Sequence, residues 1–325
     1  MPLLESNYQP PRLFGSGHLQ TIYPAFFRTV TEVNYQRERI DTPDGDFLDL
    51  DWSRVGEQRL GVISHGLEGN TGRAYVRGMA RALNRGGWDA LAWNFRGCSG
   101  EPNRLLNSYH SGKTEDLDTV IEHARNSGDY SQIALIGFSM GGNLTLKYLG
   151  ERGAGVDPAI SGAVAFSVPC DLRASSLHLA RPANKLYMAR FIRLLHEKVR
   201  VKMQLRPGEI DDRDYHRIKN FKDFDDRYTA PLNGFADAED YWRRASCKPY
   251  LSGIKVPALL INAQNDPFLP PACYPEQAAA GNPHLFLEIP RSGGHVGFVE
   301  FNENGDYWSE RRALIFISQT DTHIS

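Results

Sequence analysis

A segment that must pass from strand to helix within two residues constrains this sequence more than any other feature. From Ile133 to Leu149 it reads IALIGFSMGGNLTLKYL. The run Ile133, Ala134, Leu135, Ile136 offers no polar face, which predicts a short strand buried on both sides. Leu144 and Tyr148 stand one helical turn apart, which predicts a helix directly after it. Between the two lies Gly137-Phe-Ser139-Met-Gly141, a GxSxG. So abrupt a turn forces strained backbone angles on its middle residue, while flanking glycines let strand and helix approach closely. The serine hydroxyl is left exposed at the tip, as in a nucleophile elbow. The pattern is short, and it is the strand before it and the helix after it that make it informative.

The alternation of strand and helix recurs along the chain. Val33 to Ile40 and Phe47 to Trp52 flank Asp41-Thr-Pro-Asp-Gly45, turn chemistry that predicts an antiparallel hairpin. Leu60 to Ser64 reads as a buried strand ending at His65-Gly-Leu-Glu-Gly69, and a helix is expected over Arg73 to Asn84. Trp88 to Phe95 is the next strand, with Arg96-Gly-Cys-Ser-Gly100 as its exit loop. Thr114 is the expected cap of a helix that leads to the elbow strand, and Ile160 to Val168 is a further strand. This β, α, β, α succession predicts a mostly parallel sheet with helices on both faces, the α/β class. The rhythm breaks from Asp171 to Lys248, a charged and aromatic stretch with helical segments such as Lys185 to Val201 and no convincing strand. It resumes at Val256 to Asn262 and near Leu285 to Ile289, and a helix over Trp308 to Ile317 closes the domain. The expected organisation is an N-terminal arm (1–30), a core (31–170 and 249–325) and an inserted helical cap (171–248). The arm's Gly17-His-Leu-Gln-Thr-Ile-Tyr-Pro24 carries no chemistry derivable from sequence.

At 325 residues the chain is long enough to bury a substantial core. A formal net charge of −2 predicts no non-specific grip on nucleic acid or anionic membrane, since either needs a basic excess. No apolar run is long enough to span a bilayer, and MPLLESNYQPPRLFGSGHLQ lacks the charged start and apolar core of a secretion signal. A cytoplasmic protein with no stable membrane anchor is expected. Cys98, Cys170, Cys247 and Cys273 lie far apart with no CxxC pair, and read as reduced thiols rather than a disulfide frame or zinc site.

A serine hydroxyl is a poor nucleophile at neutral pH. It needs a histidine to take its proton and a carboxylate to hold that histidine in the right tautomer. Behind an elbow these follow in the order serine, acid, histidine. Asp266, in Asn262-Ala-Gln-Asn-Asp-Pro267, lies just past a strand end, where a parallel sheet presents its reactive groups. Asp171 is the rival acid, also just past a strand. Of the histidines that follow, His284 opens a strand and His323 lies in the terminal tail, whereas His295 sits in a Gly293-Gly-His-Val-Gly297 loop able to present its ring. An oxyanion would be met by the backbone N–H of Met140, the residue after the serine, and of Leu67 in the loop after an early strand. Glu68 reads as a solvated loop carboxylate in preference to a substrate contact, and His65 as a structural hydrogen bonder in preference to a second base.

These motifs resemble the YheT-like branch of the α/β-hydrolase superfamily, and the similarity spans nearly the whole chain. They are Gly17-His-Leu-Gln-Thr-Ile-Tyr-Pro24, His65-Gly-Leu-Glu-Gly69, Asn94-Phe-Arg-Gly97, Tyr109-His-Ser-Gly112 with Thr114-Glu-Asp-Leu117, Gly137-Phe-Ser-Met-Gly-Gly-Asn143 and Gly293-Gly-His-Val-Gly-Phe298. The resemblance implies the α/β-hydrolase fold and a carboxylesterase, and it assigns Ser139, Asp266 and His295 to the triad. Related eukaryotic proteins that act on acylglycerols or phospholipids carry an N-terminal membrane anchor, which this sequence is expected to lack, and that expectation weighs against membrane-lipid substrates. The HxxxxD acyltransferase motif of some relatives is absent from all ten histidines. The expectation is a serine esterase acting on a small-molecule ester, with no metal or organic cofactor and no nucleic-acid partner. Thioesterase, lipase and amidase chemistry use the same groups, and a non-catalytic ligand-binding homologue would keep the same fold.

Overall fold

The computed structural model describes residues 3–319, so His323 lies outside the described residues. The strands are β1 (Leu3–Leu4), β2 (Gln36–Asp41), β3 (Phe47–Ser53), β4 (Arg59–Ser64), β5 (Asp89–Asn94), β6 (Gln132–Phe138), β7 (Ile160–Phe166), β8 (Ala258–Ile261) and β9 (Leu285–Glu288). They form one sheet in the order β1-β9-β8-β7-β6-β4-β5-β3-β2. β3 is antiparallel to both of its neighbours and every other pairing is parallel. β2 and β3 are the expected hairpin, closed by Thr42 N donating to Asp46 O at 3.0 Å. From β4 the chain steps outward to β5, then returns to lay β6 on the other side of β4 before stepping outward again through β7, β8 and β9. The end of β6 therefore lies at the point where the winding reverses, which is where open α/β sheets hold their ligands.

The helices are α1 (Gly17–Phe27), α2 (Ala74–Arg85), α3 (Thr114–Asn126), α4 (Met140–Arg152), α5 (Leu172–Leu179), α6 (Lys185–Leu205), α7 (Phe221–Phe224), α8 (Ala230–Leu232), α9 (Ala238–Ala245), α10 (Glu276–Gly281) and α11 (Trp308–Gln319). Strand periodicity of two sorts the central side chains between the two faces. Ile133 and Leu135 of β6 join Leu60 and Val62 of β4 in a core with Leu117 and Val120 of α3 and Leu144 of α4. Ala134, Ile136 and Phe138 turn to the other face, with Met79 and Leu83 of α2 and Phe316 of α11. A third apolar cluster lies among α5 to α9 and takes in Phe268 and Leu269 from the loop after β8. Among the described residues, no helix is long and apolar enough to cross a membrane.

Several local expectations shift. The strand expected from Val256 begins at Ala258, because Pro257 has no N–H to give the ladder. Thr114 is the first residue of α3 rather than its cap, and its hydroxyl donates to Glu151 Oε2 at 2.7 Å. Within the first thirty residues, Leu3–Leu4 extend the sheet beside β9 and residues 17–27 form a helix.

Candidate active site

Ser139 sits between β6 and α4 at φ 54°, ψ −117°, a left-handed strain for a residue with a side chain. The glycines beside it have a measurable purpose. A Cβ on Gly137 would lie 2.5 Å from Gly141 O, and one on Gly141 would lie 2.3 Å from Ser64 O. Only bare backbone lets α4 start this close to β4 and β6.

His295 Nε2 lies 2.8 Å from Ser139 Oγ, and its Nδ1 lies 2.9 and 3.1 Å from the two carboxyl oxygens of Asp266. A carboxylate only accepts, so the proton sits on Nδ1, and Nε2 presents a lone pair to the serine hydroxyl. The Asp266 side chain is fully buried and that of His295 nearly so. Asp266 is held in turn by Phe268 N, which donates to its Oδ1 at 2.8 Å, and the Phe268 ring lies 4.1 Å from the imidazole. Asp171 is elsewhere: it caps α5, its Oδ1 accepting from Ala174 N at 3.0 Å. His284 stands at the start of β9, the opposite end of the parallel sheet from Ser139.

The loop that carries His295 is fixed by residues the sequence did not nominate. Three successive N–H groups each donate to a side chain from a different segment: Gly294 to Asn265 Oδ1 at 3.0 Å, His295 to Thr21 Oγ1 at 2.8 Å, and Val296 to Ser167 Oγ at 2.8 Å. Thr21 gives its own proton to Gly17 O at 2.7 Å. The unexplained Gly17–Pro24 motif is thus the first part of α1, packed so tightly on the histidine loop that a Cβ on Gly297 would meet Gln20 O at 2.4 Å.

The Gly66-Leu67-Glu68 loop is pinned in the same manner. Gly66 N donates to Tyr75 Oη at 2.9 Å and Glu68 N to Tyr109 Oη at 3.2 Å. Between them, the N–H of Leu67 meets no acceptor among the described residues, and neither does that of Met140. Both residues line the cavity that holds Ser139, so both N–H groups are available to an oxyanion there. Glu68 is not a solvated carboxylate. Its side chain is buried, Tyr109 donates to its Oε1, and Lys198 Nζ of α6 approaches to 3.6 Å. No local signal announces this burial, because the partners arrive from 41 and 130 residues away. His65 is a structural hydrogen bonder: Nδ1 donates to Gly66 O at 2.8 Å and Nε2 accepts from Phe95 N at 3.1 Å. Burial pushes its pKa down to about 3, so it stays neutral.

Two cavities meet at Ser139 and His295. One, of about 370 Å³, runs under α5 to α9 past Leu172, Leu195, Phe224 and Trp242. The other, of about 850 Å³, lies between α1, the start of α2 and the start of α6. A serine hydroxyl, an imidazole nitrogen in reach of its proton and two N–H groups that meet no acceptor among the described residues share one largely apolar enclosure, an arrangement that has the parts acyl transfer needs.

Fold and site together define a hydrolase of the nucleophile-elbow kind, and residues 62–301 match the family model described as the alpha/beta hydrolase fold. The chain belongs to the α/β-hydrolase fold family, in its YheT-like branch. "Putative esterase YheT" of Escherichia coli (strain K12) is 35% identical over 301 residues, which span 90% of this chain and 87% of that protein. "Phospholipase ABHD3" of Homo sapiens is 29% identical over 309 residues, 92% of this chain and 75% of that one. Among solved structures, the Pyrococcus furiosus esterase Pf2001 in space group P21 superposes with a TM-score of 0.58 at 19% identity, covering 96% of this chain and 99% of that one, a likeness of fold.

Proposed function

We propose that this protein is a serine hydrolase that cleaves carboxylic esters through an acyl-enzyme. Ser139 Oγ attacks the ester carbonyl while His295 Nε2 takes its proton. Asp266 orients the ring and stabilises the imidazolium, and the N–H groups of Leu67 and Met140 receive the oxyanion. His295 then gives the proton to the departing alcohol, and water attacks the acyl-enzyme by the same path. The observation that carries the reading is the continuous contact Ser139 Oγ to His295 Nε2 to Asp266, at 2.8 and 2.9 Å. The apolar walls of the 370 Å³ cavity favour an apolar acyl group, and the esterase and phospholipase names of the relatives support the ester class.

The test is hydrolysis of a graded series of p-nitrophenyl esters by the wild type and Ser139→Ala. The variant should lose on the order of 10⁴-fold or more in turnover on every ester, while circular dichroism stays unchanged because the hydroxyl fills no core space. Near wild-type turnover by the variant would remove Ser139 as nucleophile. Thioesters assayed in parallel separate the ester reading from a thioesterase.

A further inference from the structure

A net charge of −2 conceals an uneven distribution. Residues 6–31 and 172–196 together contain seven Lys and Arg and no Asp or Glu. The structure brings these two segments side by side: His18 Nδ1 of α1 lies 3.0 Å from Tyr187 Oη of α6, with the rings stacked. Arg12, Arg181, Lys185 and Arg190 form no ion pair among the described residues. The same two segments hold much of the chain's exposed apolar surface. Leu13, Ile22, Phe26 and Phe27 stand out on the first, and Leu186 on the second, with Leu13 exposed at 91% and Leu186 at 85%. Isolated exposed leucines are ordinary, but a contiguous apolar patch on one face signals a contact surface.

Part of this surface opens on the site. Ile22 and Phe26 from one segment and Leu186 and Arg190 from the other line the 850 Å³ cavity, whose wall also contains Ser139 and His295. A substrate entering by this cavity therefore passes between exposed apolar side chains flanked by unpaired cations. That combination matches the outer layers of a lipid surface, where acyl chains lie beneath phosphate groups.

We propose that the face formed by α1 with its preceding residues and by α5 to the first half of α6 docks on an anionic lipid surface, with the mouth of the larger cavity turned toward it. The apolar side chains bury in the acyl boundary, and Arg12, Arg181, Lys185 and Arg190 meet lipid phosphates. Docking is peripheral and reversible: among the described residues no helix is long and apolar enough to cross a membrane, and the charge attraction is screened by salt.

Sedimentation of the full chain with vesicles tests this, using phosphatidylcholine alone and phosphatidylcholine mixed with phosphatidylglycerol. The protein should sediment with the mixed vesicles, less with the neutral ones, and less again as salt is raised. Leu13→Ser/Phe27→Ser and Arg181→Gln/Lys185→Gln should each lower the partition coefficient about tenfold or more. Both pairs should leave hydrolysis of a monomeric short-chain ester within about twofold of wild type, since none of these four residues lines either cavity. Vesicle binding is read without turnover, so its failure is distinguishable from failure of the esterase reading. Absence of wild-type binding, or equal binding by wild type and both variants, overturns the proposal. A stable wild-type dimer that Leu13→Ser/Phe27→Ser dissociates also overturns it, by making the face a self-interface.

Discussion

Asp266→Asn perturbs one proton and little else, and the structure shows why its effect should be large. Asp266 Oδ1 accepts from Phe268 N at 2.8 Å, and both oxygens face His295 Nδ1. Asparagine keeps a single oxygen. If that oxygen serves Phe268 N, the amide NH₂ turns toward Nδ1, which must then accept, and the ring proton moves to Nε2. The nitrogen facing Ser139 can no longer take a proton. If the oxygen serves Nδ1 instead, the buried N–H of Phe268 is left unpaired at a cost of about 1–3 kcal/mol. In a triad on another fold the corresponding change costs roughly 10⁴ in kcat, about 5 kcal/mol of transition-state stabilisation. The control is Asp171→Asn. Asparagine caps a helix as well as aspartate does, and the 3.5 Å pair with Lys248 is half-exposed, so activity should change by no more than about twofold. Steady-state hydrolysis of one p-nitrophenyl ester by both variants, with circular dichroism to exclude unfolding, compares them directly. A mild loss at Asp266 with a severe one at Asp171 would refute the reasoning.

Tyr109→Phe removes the acceptor of Glu68 N and frees the segment that presents Leu67 N–H, so kcat should fall roughly tenfold with KM little changed; an unchanged kcat would show that the Tyr109 bond does not position that donor. Burial raises the Asp225 carboxyl to about 7 from 3.8. Its native state thus holds a proton that the unfolded chain gives up, and its contribution to stability is lost as pH rises from about 4 to about 7, by at most about 1.4 kcal/mol per pH unit. Asp225→Asn keeps an acceptor for the Trp242 indole N–H, 2.8 Å from Oδ2, and should flatten the pH dependence of urea unfolding over that window; identical pH profiles for wild type and variant would contradict the raised value.

The contact between Ser139, His295 and Asp266 was legible because chain order and strand ends constrain it: each residue follows a strand of one parallel sheet, so all three arrive at the same edge. The class of fold was legible for the same reason, in apolar runs separated by helical spacings. The supports of the site were not. Thr21 looks like any arm residue until α1 packs on the histidine loop 274 residues later. Glu68 reads as solvated because it stands in a short glycine-flanked loop, Gly66-Leu-Glu-Gly69, while its burial depends on Tyr109 and on α6. The basic and apolar face was hidden by averaging, since a net charge over the whole chain says nothing of how two distant segments meet. Propensity fixes local elements, but these three features depend on long-range packing.

The central claim is that Ser139 is a nucleophile activated by His295. Intact-mass spectrometry after exposure to a fluorophosphonate probe tests it most directly, because the probe marks an activated serine without requiring the natural substrate. The wild type should gain one probe mass, mapped by peptide sequencing to Ser139, whereas Ser139→Ala should gain none and His295→Ala should react slower by orders of magnitude. An unmodified wild type, an adduct on a different serine, or full-rate labelling of His295→Ala would contradict the account.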